Sequence, residues 1–317
     1  MLKLLGNVIV LLLLYGALVV DPETSETART PQNHQFLAER IGLYGILSLA
    51  AGTLIITGGI DLSMGSTVAL TSVVLRKLLM EYDWPPGAAI PAVLLLGAAI
   101  GLCHGLLVTV ARIQAFVVTL CGLFVYRSIA RWLTGDQTVG LGNRFEGLKE
   151  FFNGYIFHVP VHFLIFLGLL ALLGVFLHLS VYGRYFYAIG SNEKAARYCG
   201  IPTTRYKISA YVLCSTLTAF FAVLNMLKMN SVQPSTTGNF FELYGIAAAV
   251  MGGCSLRGGE GNVFGIFLGT CIIYILPNYV FFKGVPSSLE GAIFGLALLV
   301  GAFADEMLRR YYGYRSG

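Results

Sequence analysis

A few charged or amide side chains set in apolar sequence are the groups that could do chemistry in this chain. Asp61 is the first, in the stretch ITGGIDLSMGSTVAL at residues 56–70, a carboxylate between two apolar runs. Gly58, Gly59 and Gly65 let the backbone turn there, and Ser63 or the free amides of the following helix can serve the charge. The simplest reading makes Asp61 the N-cap of that helix, at the favourable end of its dipole. A role in an inner gate, in contact with a partner subunit or in proton coupling is the alternative. Glu242 opens another apolar run in the same way. Gln114, Asn225, Asn230 and Gln233 are amides, which both donate and accept and so suit a path for a neutral polar solute. Asn225 lies within an apolar run and should face the bundle interior; Asn230 and Gln233 could equally form an outer docking seat.

Other combinations point to structure. Arg127 and Arg131 share a helix face, suited to snorkelling, to pairing with Asp136 or to an outer-gate salt bridge. His158 and His162 have a possible metal spacing, but Pro160 lies between them and no carboxylate or Cys follows usefully, so an interfacial pair is expected. The chain contains no G-x-x-x-x-G-K-[ST], HExxH or GxSxG and no paired membrane aspartates. No catalytic residue, metal site or cofactor is therefore assigned. The six cysteines are scattered singly without a CxxC and read as small core residues.

The elements that position these groups follow from composition. Of 317 residues, 56% are hydrophobic and 12% charged, against about 25% charged in a soluble domain. Residues 1–317 are expected to form one all-α polytopic membrane unit. Windows of membrane-spanning length fall at about 4–20, 41–59, 63–80, 88–110, 114–133, 159–180, 207–228, 241–256, 263–281 and 289–306, about ten transmembrane helices. The third and eighth are short or small-residue-rich enough to be re-entrant. The first follows Lys3 and resembles a signal peptide, but without a small-x-small cleavage site it reads as a retained helix. Glycines within runs such as GAAIPAVLLLGAAIGLCHG predict close helix packing. The turn MGGCSLRGGEGN, 251–262, is a candidate counterpart of TGGIDLSMGS in a distantly repeated half.

An even number of spans puts both termini on one side. The connection from 184 to 207 carries Arg184, Lys194, Arg197, Arg205 and Lys207 against Glu193, which places it and the termini in the cytoplasm. The net charge of +5 is dispersed among loops, so it reads as an orientation signal beside membrane lipid rather than as a nucleic-acid surface. Within this loop, taken as about 181–207, a short surface helix is expected. Asn192 caps it, Glu193 suits its first turn, and Gly200 with Pro202 ends it. Such an element docks into a partner's groove or lies on anionic lipid.

The pattern Glu193, Ala195, Ala196 and Gly200, within GRYFYAIGSNEKAARYCGI, resembles the coupling-loop signature of bacterial ABC importer permeases, and is similar to the ribose- and xylose-type monosaccharide permeases in particular. GGIDLSMGS, RIQAFVVTL, LNMLKMNSVQP and FELYGIAAAVMGGCSLRGGEGNVFG agree with it in order, so the resemblance spans roughly residues 40–306. Tyr244, Cys254 and Asn262 depart from the family's usual acidic residue, Thr and Ser. The resemblance implies a permease of the bacterial cytoplasmic membrane that moves a sugar by alternating access. Its implied partners are separate ATP-binding subunits, a periplasmic or lipid-anchored solute-binding protein and a second permease copy or paralogue. Asn192, Glu193, Ala195, Ala196, Arg197 and Gly200 would then form the ATPase-coupling element. A branched-chain amino acid permease is the related alternative, and an ion-coupled secondary transporter built on Asp61 or Glu242 is the rival of another class.

Overall fold

A computed structural model describes residues 2–21 and 25–286 and, beyond these, residues 289, 291–293, 295, 296 and 299. The helices are α1 (Leu2–Val20), α2 (Ser25–Ala28), α3 (Pro31–Ile56), α4 (Met64–Met80), α5 (Pro86–Thr109), α6 (Ala115–Thr134), α7 (Glu146–Asn153), α8 (Val161–Leu179), α9 (Val181–Ser191), α10 (Glu193–Tyr198), α11 (Thr203–Met229), α12 (Phe241–Met251) and α13 (Val263–Phe282). Two-residue strands β1 (Val139–Gly140), β2 (Tyr155–Ile156), β3 (Val159–Pro160) and β4 (Ser231–Val232) pair antiparallel as β1 with β4 and β2 with β3.

Among the described residues, α3, α5, α6, α8, α11 and α13 are long and apolar enough to cross a membrane, and the first and eighth expected spans are shorter apolar helices. The expected spans at 4–20, 63–80, 88–110, 114–133, 159–180 and 263–281 coincide closely with α1, α4, α5, α6, α8 and α13. The second begins earlier than its apolar run, because Thr30 caps α3 by accepting from the Asn33 amide (3.3 Å) and Pro31 fills the first turn. The tenth lies largely outside the described residues, as does the basic tail. The loop expected from 181 contains a full helix, α9, started by Ser180, whose hydroxyl accepts from the Gly183 amide at 3.1 Å.

α3, α11 and α13 are buried over most of their length, whereas α5, α6 and α8 turn apolar side chains such as Leu95, Phe124 and Leu172 outward. A helix hydrophobic all round belongs inside a bundle, and apolar outward faces belong against lipid. α11, which contains no Gly or Pro between 203 and 229, packs most extensively on α5, then on α3 and α4. The close approach has a simple cause. Gly97, Gly101 and Gly105 place a flat stripe of α5 against Ser215, Tyr211 and Ile208 of α11, and a side chain at Gly101 would overlap the Tyr211 carbonyl.

The connections gather at two ends. At one, the Gly259 amide donates to the Ile56 carbonyl at 2.9 Å and the Tyr187 hydroxyl to the Gly261 carbonyl at 3.0 Å, bringing together the turns after α3, α9 and α12. At the other, β1 joins β4, Arg144 pairs with Asp83 at 2.9 Å, and Gln35 donates to the His158 carbonyl at 3.3 Å. The α3–α4 and α12–α13 pairs thus share a form, helix, Gly-rich turn, helix, with their turns in contact.

The cysteines depart from expectation. Cys214, Cys254 and Cys271 are buried, but Cys103, Cys121 and Cys199 are exposed. Cys103 and Cys121 lie on α5 and α6, whose outward faces are apolar, where a thiol is as acceptable as in a core.

Gly101→Ala should destabilise the detergent-solubilised protein by roughly 1–3 kcal/mol, because backbone atoms of α11 occupy the added methyl's place. Gly168→Ala on α8, where nothing lies within 4 Å, should be neutral or stabilising by up to about 1 kcal/mol. Thermal unfolding midpoints of the two variants check the contrast.

Candidate functional site

The short surface helix forms where expected. Asn192 has extended backbone, and its Oδ1 accepts from the Ala195 amide at 3.0 Å. At the other end the Gly200 amide donates to the Arg197 carbonyl (3.0 Å) and the Ile201 amide to the Ala196 carbonyl (3.1 Å), with Gly200 at φ +81°. Six residues make too short a helix to persist alone, so tertiary contacts must hold α10. Ala196 is buried beneath it, and Glu193 accepts from Lys207 of α11 at 2.9 Å and from Arg197 at 3.1 Å. Arg197 also reaches the Thr203 hydroxyl at 3.3 Å. Partial burial pushes the Glu193 carboxyl up. The Lys207 hydrogen bond and the charges of Lys207 and Arg197 outweigh it, leaving the group below its ordinary value. Asn192, Lys194, Ala195, Tyr198 and Gly200 form the outward surface, with Tyr198 91% exposed.

The second cluster surrounds the start of α4. Asp61 is 2% exposed and does not cap the helix. Ser63 occupies the cap position, without a side-chain cap bond, while Asp61 Oδ1 accepts from the Ser63 amide (2.8 Å) and hydroxyl (2.6 Å). This is an Asx-type turn that begins two residues before the cap. Asp61 Oδ2 faces His104 Nδ1 at 3.6 Å, an ion-pair separation, and His104 Nε2 lies 2.9 Å from the Tyr126 hydroxyl. Glu242, also buried, stands in the first turn of α12 and accepts from the Gly65 amide at 3.2 Å. One helix start is thus served by a carboxylate on the first turn of another. Gly65 and Gly238 make this approach possible, since a side chain on Gly65 would overlap the Gly238 carbonyl. Arg127 donates to the carbonyls of Pro234 (2.9 Å) and Thr237, fixing the segment that leads into α12.

The remaining expected path residues are dispersed. Asn225 is buried within α11, as its apolar surroundings required. Gln114 is exposed at the start of α6, near the α10 end. Asn230 and Gln233 lie at the opposite end. Asn230 donates to the Gly142 carbonyl at 3.1 Å, and Gln233 donates to the Ser235 hydroxyl at 3.1 Å and accepts from that of Thr138. Arg131 pairs with Asp136 at 2.7 Å, whereas Arg127 donates to backbone carbonyls and, among the described residues, forms no salt bridge. His158 and His162 do not act as a pair. His158 sits exposed in the β2–β3 turn and His162 is buried with Nδ1 3.8 Å from Glu39, and among the described residues no group of three or more His, Cys, Asp or Glu is placed to hold a metal. His104 and Tyr126 were missed. The available signal was His104 between Gly101 and Gly105, a polar residue on a helix face otherwise kept small.

Residues 35–302 match the family described as branched-chain amino acid transport system / permease component. The chain is 35% identical to the ribose import permease protein RbsC of Bacillus subtilis (strain 168), covering 87% of this chain and 85% of that protein. It is 33% identical to the ribose import permease protein RbsC of Escherichia coli (strain K12), with 85% and 84% covered. Against the autoinducer 2 import system permease protein LsrD of Photorhabdus luminescens the identity is 31%, with 86% and 82% covered. No solved structure matches the chain.

Asp61→Ala should cost on the order of 1–3 kcal/mol, since it strips the buried Ser63 amide and hydroxyl of their acceptor. Asp61→Asn, which keeps a carbonyl oxygen there, should cost less, and equal unfolding midpoints for the two variants would refute the account. A second expectation concerns pH. Because its folded pKa is depressed, Glu193 contributes stability that is fully present above the ordinary value of 4.5 and lost only as pH falls through the lower folded value. Hydrogen-exchange protection of the α10 amides should therefore survive to a lower pH in the native protein than in Lys207→Met.

Proposed function

This chain belongs to the branched-chain amino acid transport system / permease component family, and from that premise we propose that it is the membrane-spanning subunit of an ATP-driven importer for a monosaccharide or related furanose. The observation that carries the reading is α10. It is a capped helix whose Glu193 is tied inward to α11 while Ala195 and Tyr198 face outward, at the end of the bundle where the turns after α3, α9 and α12 meet. A separate ATP-binding subunit seated there would move α10, and α10 would move α11. With no nucleotide-binding motif in the sequence, hydrolysis belongs to that partner.

In this reading the α10 end is cytoplasmic, both termini lie on that side, and residues 1–317 act as one permease unit in the cytoplasmic membrane. Closure of the ATP-binding subunits shifts the populations of inward- and outward-open bundles. The opposite end, with the β1–β4 pair, Asn230 and Gln233, receives a solute-binding protein, and a second permease copy or paralogue completes the pathway. The relatives named for ribose and autoinducer 2 import support a sugar-like solute. The family's description keeps a branched-chain amino acid as the alternative. An ion-coupled carrier is less suited, because Asp61 and Glu242 are engaged by Ser63, His104 and Gly65 as anchors of the α4 start.

Replacing residues 192–200 with a Gly/Ser linker should leave the chain inserted in the membrane while abolishing association with the ATP-binding subunit and solute uptake. Wild-type association by the linker variant would sink the assignment.

A further inference from the structure

A cavity of about 960 Å³ opens beside α10, and its charge is one-sided. Its wall is built from the end of α3 at Thr57 and Gly58, the end of α5, the α9–α10 junction and the base of α11. The charged residues on that wall are Arg112, Lys194, Arg197, Lys207 and Arg257 against the single acid Glu193. Glu193 engages Lys207 and Arg197. Arg112, Lys194 and Arg257 are exposed and form no salt bridge among the described residues. Glu260, also exposed, belongs to the same turn as Arg257 but not to the cavity wall.

We propose that this cavity is the seat of an acidic segment of the ATP-binding subunit, held chiefly by Arg112, Lys194 and Arg257. The inference rests on reading the chain as the permease of an ATP-driven importer. Like charges on a concave wall repel one another and focus a positive potential into the space between them. Carboxylates entering that space relieve the repulsion, and their approach is accelerated by the same field. A protein partner is favoured over a lipid headgroup because the rim is not uniformly basic. Ala195 and the fully presented ring of Tyr198 stand beside the cations, and an apolar or aromatic contact beside a charged one is the composition of a protein interface. The wall also joins parts that belong to different helix pairs, since Arg112 follows α5, Arg257 follows α12 and Lys194 is on α10. An acidic insertion there grips all of them at once, whereas contact with the outer face of α10 alone grips one.

The test uses the full-length permease in phosphatidylcholine nanodiscs, titrated with the ATP-binding subunit at low salt and at roughly 0.5 M salt. The native permease should bind more weakly at high salt. Arg112→Glu with Arg257→Glu should weaken binding at low salt by about tenfold or more and flatten the salt dependence. Arg112→Gln with Arg257→Gln should give a smaller loss in the same direction, and it decides the matter if the reversed pair fails to elute as a single monodisperse species. Native affinity and native salt dependence in the folded charge variants would overturn the proposal. So would an effect of the substitutions seen only in binding to nanodiscs containing phosphatidylglycerol, which would make the cavity a headgroup site. The linker replacement of α10, run alongside, separates the two levels. If it abolishes association while the charge variants do not weaken it, the cavity proposal alone falls; if it leaves association intact, the permease reading falls as well.

Discussion

A helix that starts inside a bundle exposes amides that water cannot reach, and α4 does so. In hydrocarbon or dry protein those groups must find acceptors within the chain. Asp61 supplies one at the Ser63 amide and Glu242 another at the Gly65 amide. Bringing Glu242 there fixes the start of α12, which in turn requires the segment before α12 to lie against Gly65, and Arg127 holds that segment by its carbonyls. Buried carboxylates are themselves costly, and the amide and hydroxyl of Ser63 offset part of that cost at Asp61 Oδ1, while Oδ2 faces the His104 ring at 3.6 Å. The two acids, expected first as helix-start charges and alternatively as coupling groups, both serve the start of α4, Asp61 from the turn before it and Glu242 from the first turn of α12.

The other end poses a different problem under the proposed function, that of a surface which a partner outside the chain would move. α10 is closed by its own caps, so it keeps its shape, yet its ties to the bundle are few: buried Ala196 and the pairs from Glu193 and Arg197. Those pairs are directed at α11 rather than at a partner. Glu193 belongs to the proposed coupling element, but its carboxylate is engaged internally by Lys207 and Arg197, and the exposed groups are Lys194, Tyr198 and the neighbouring arginines.

Apolar runs located most of the long helices, and the α10 caps were legible because capping is local. Asn192, Gly200 and Pro202 act through backbone atoms a few residues away. Tertiary bonds were not legible in the same way. Asp61 looked like a cap because its neighbours permit one, but its Oδ1 is taken by the amide and hydroxyl of Ser63 and its Oδ2 faces His104 of α5, a neighbour the local sequence does not reveal. α3 outran its apolar segment because Thr30 and Pro31 start it in polar sequence. Gln114, polar at a helix start, is indistinguishable in sequence from a lining amide, and its exposure follows from where the α5–α6 turn comes to rest. Cys103 and Cys121 separated from the buried cysteines because apolar sequence alone does not say whether a helix face meets the core, and Cys199 because it ends the surface helix α10.

α11 differs from its neighbours in lacking any Gly or Pro along 27 residues, while α5 and α13 each contain an internal Pro. At 1.5 Å per residue it is a rod of about 40 Å, joined near one end to α10 through Lys207 and leading directly into β4 at the other. A shaft without a hinge cannot absorb a push by bending in the middle. Under the proposed function, a displacement of α10 would enter this rod at its base and be carried toward β4, along the flat glycine track of α5 on which it is packed.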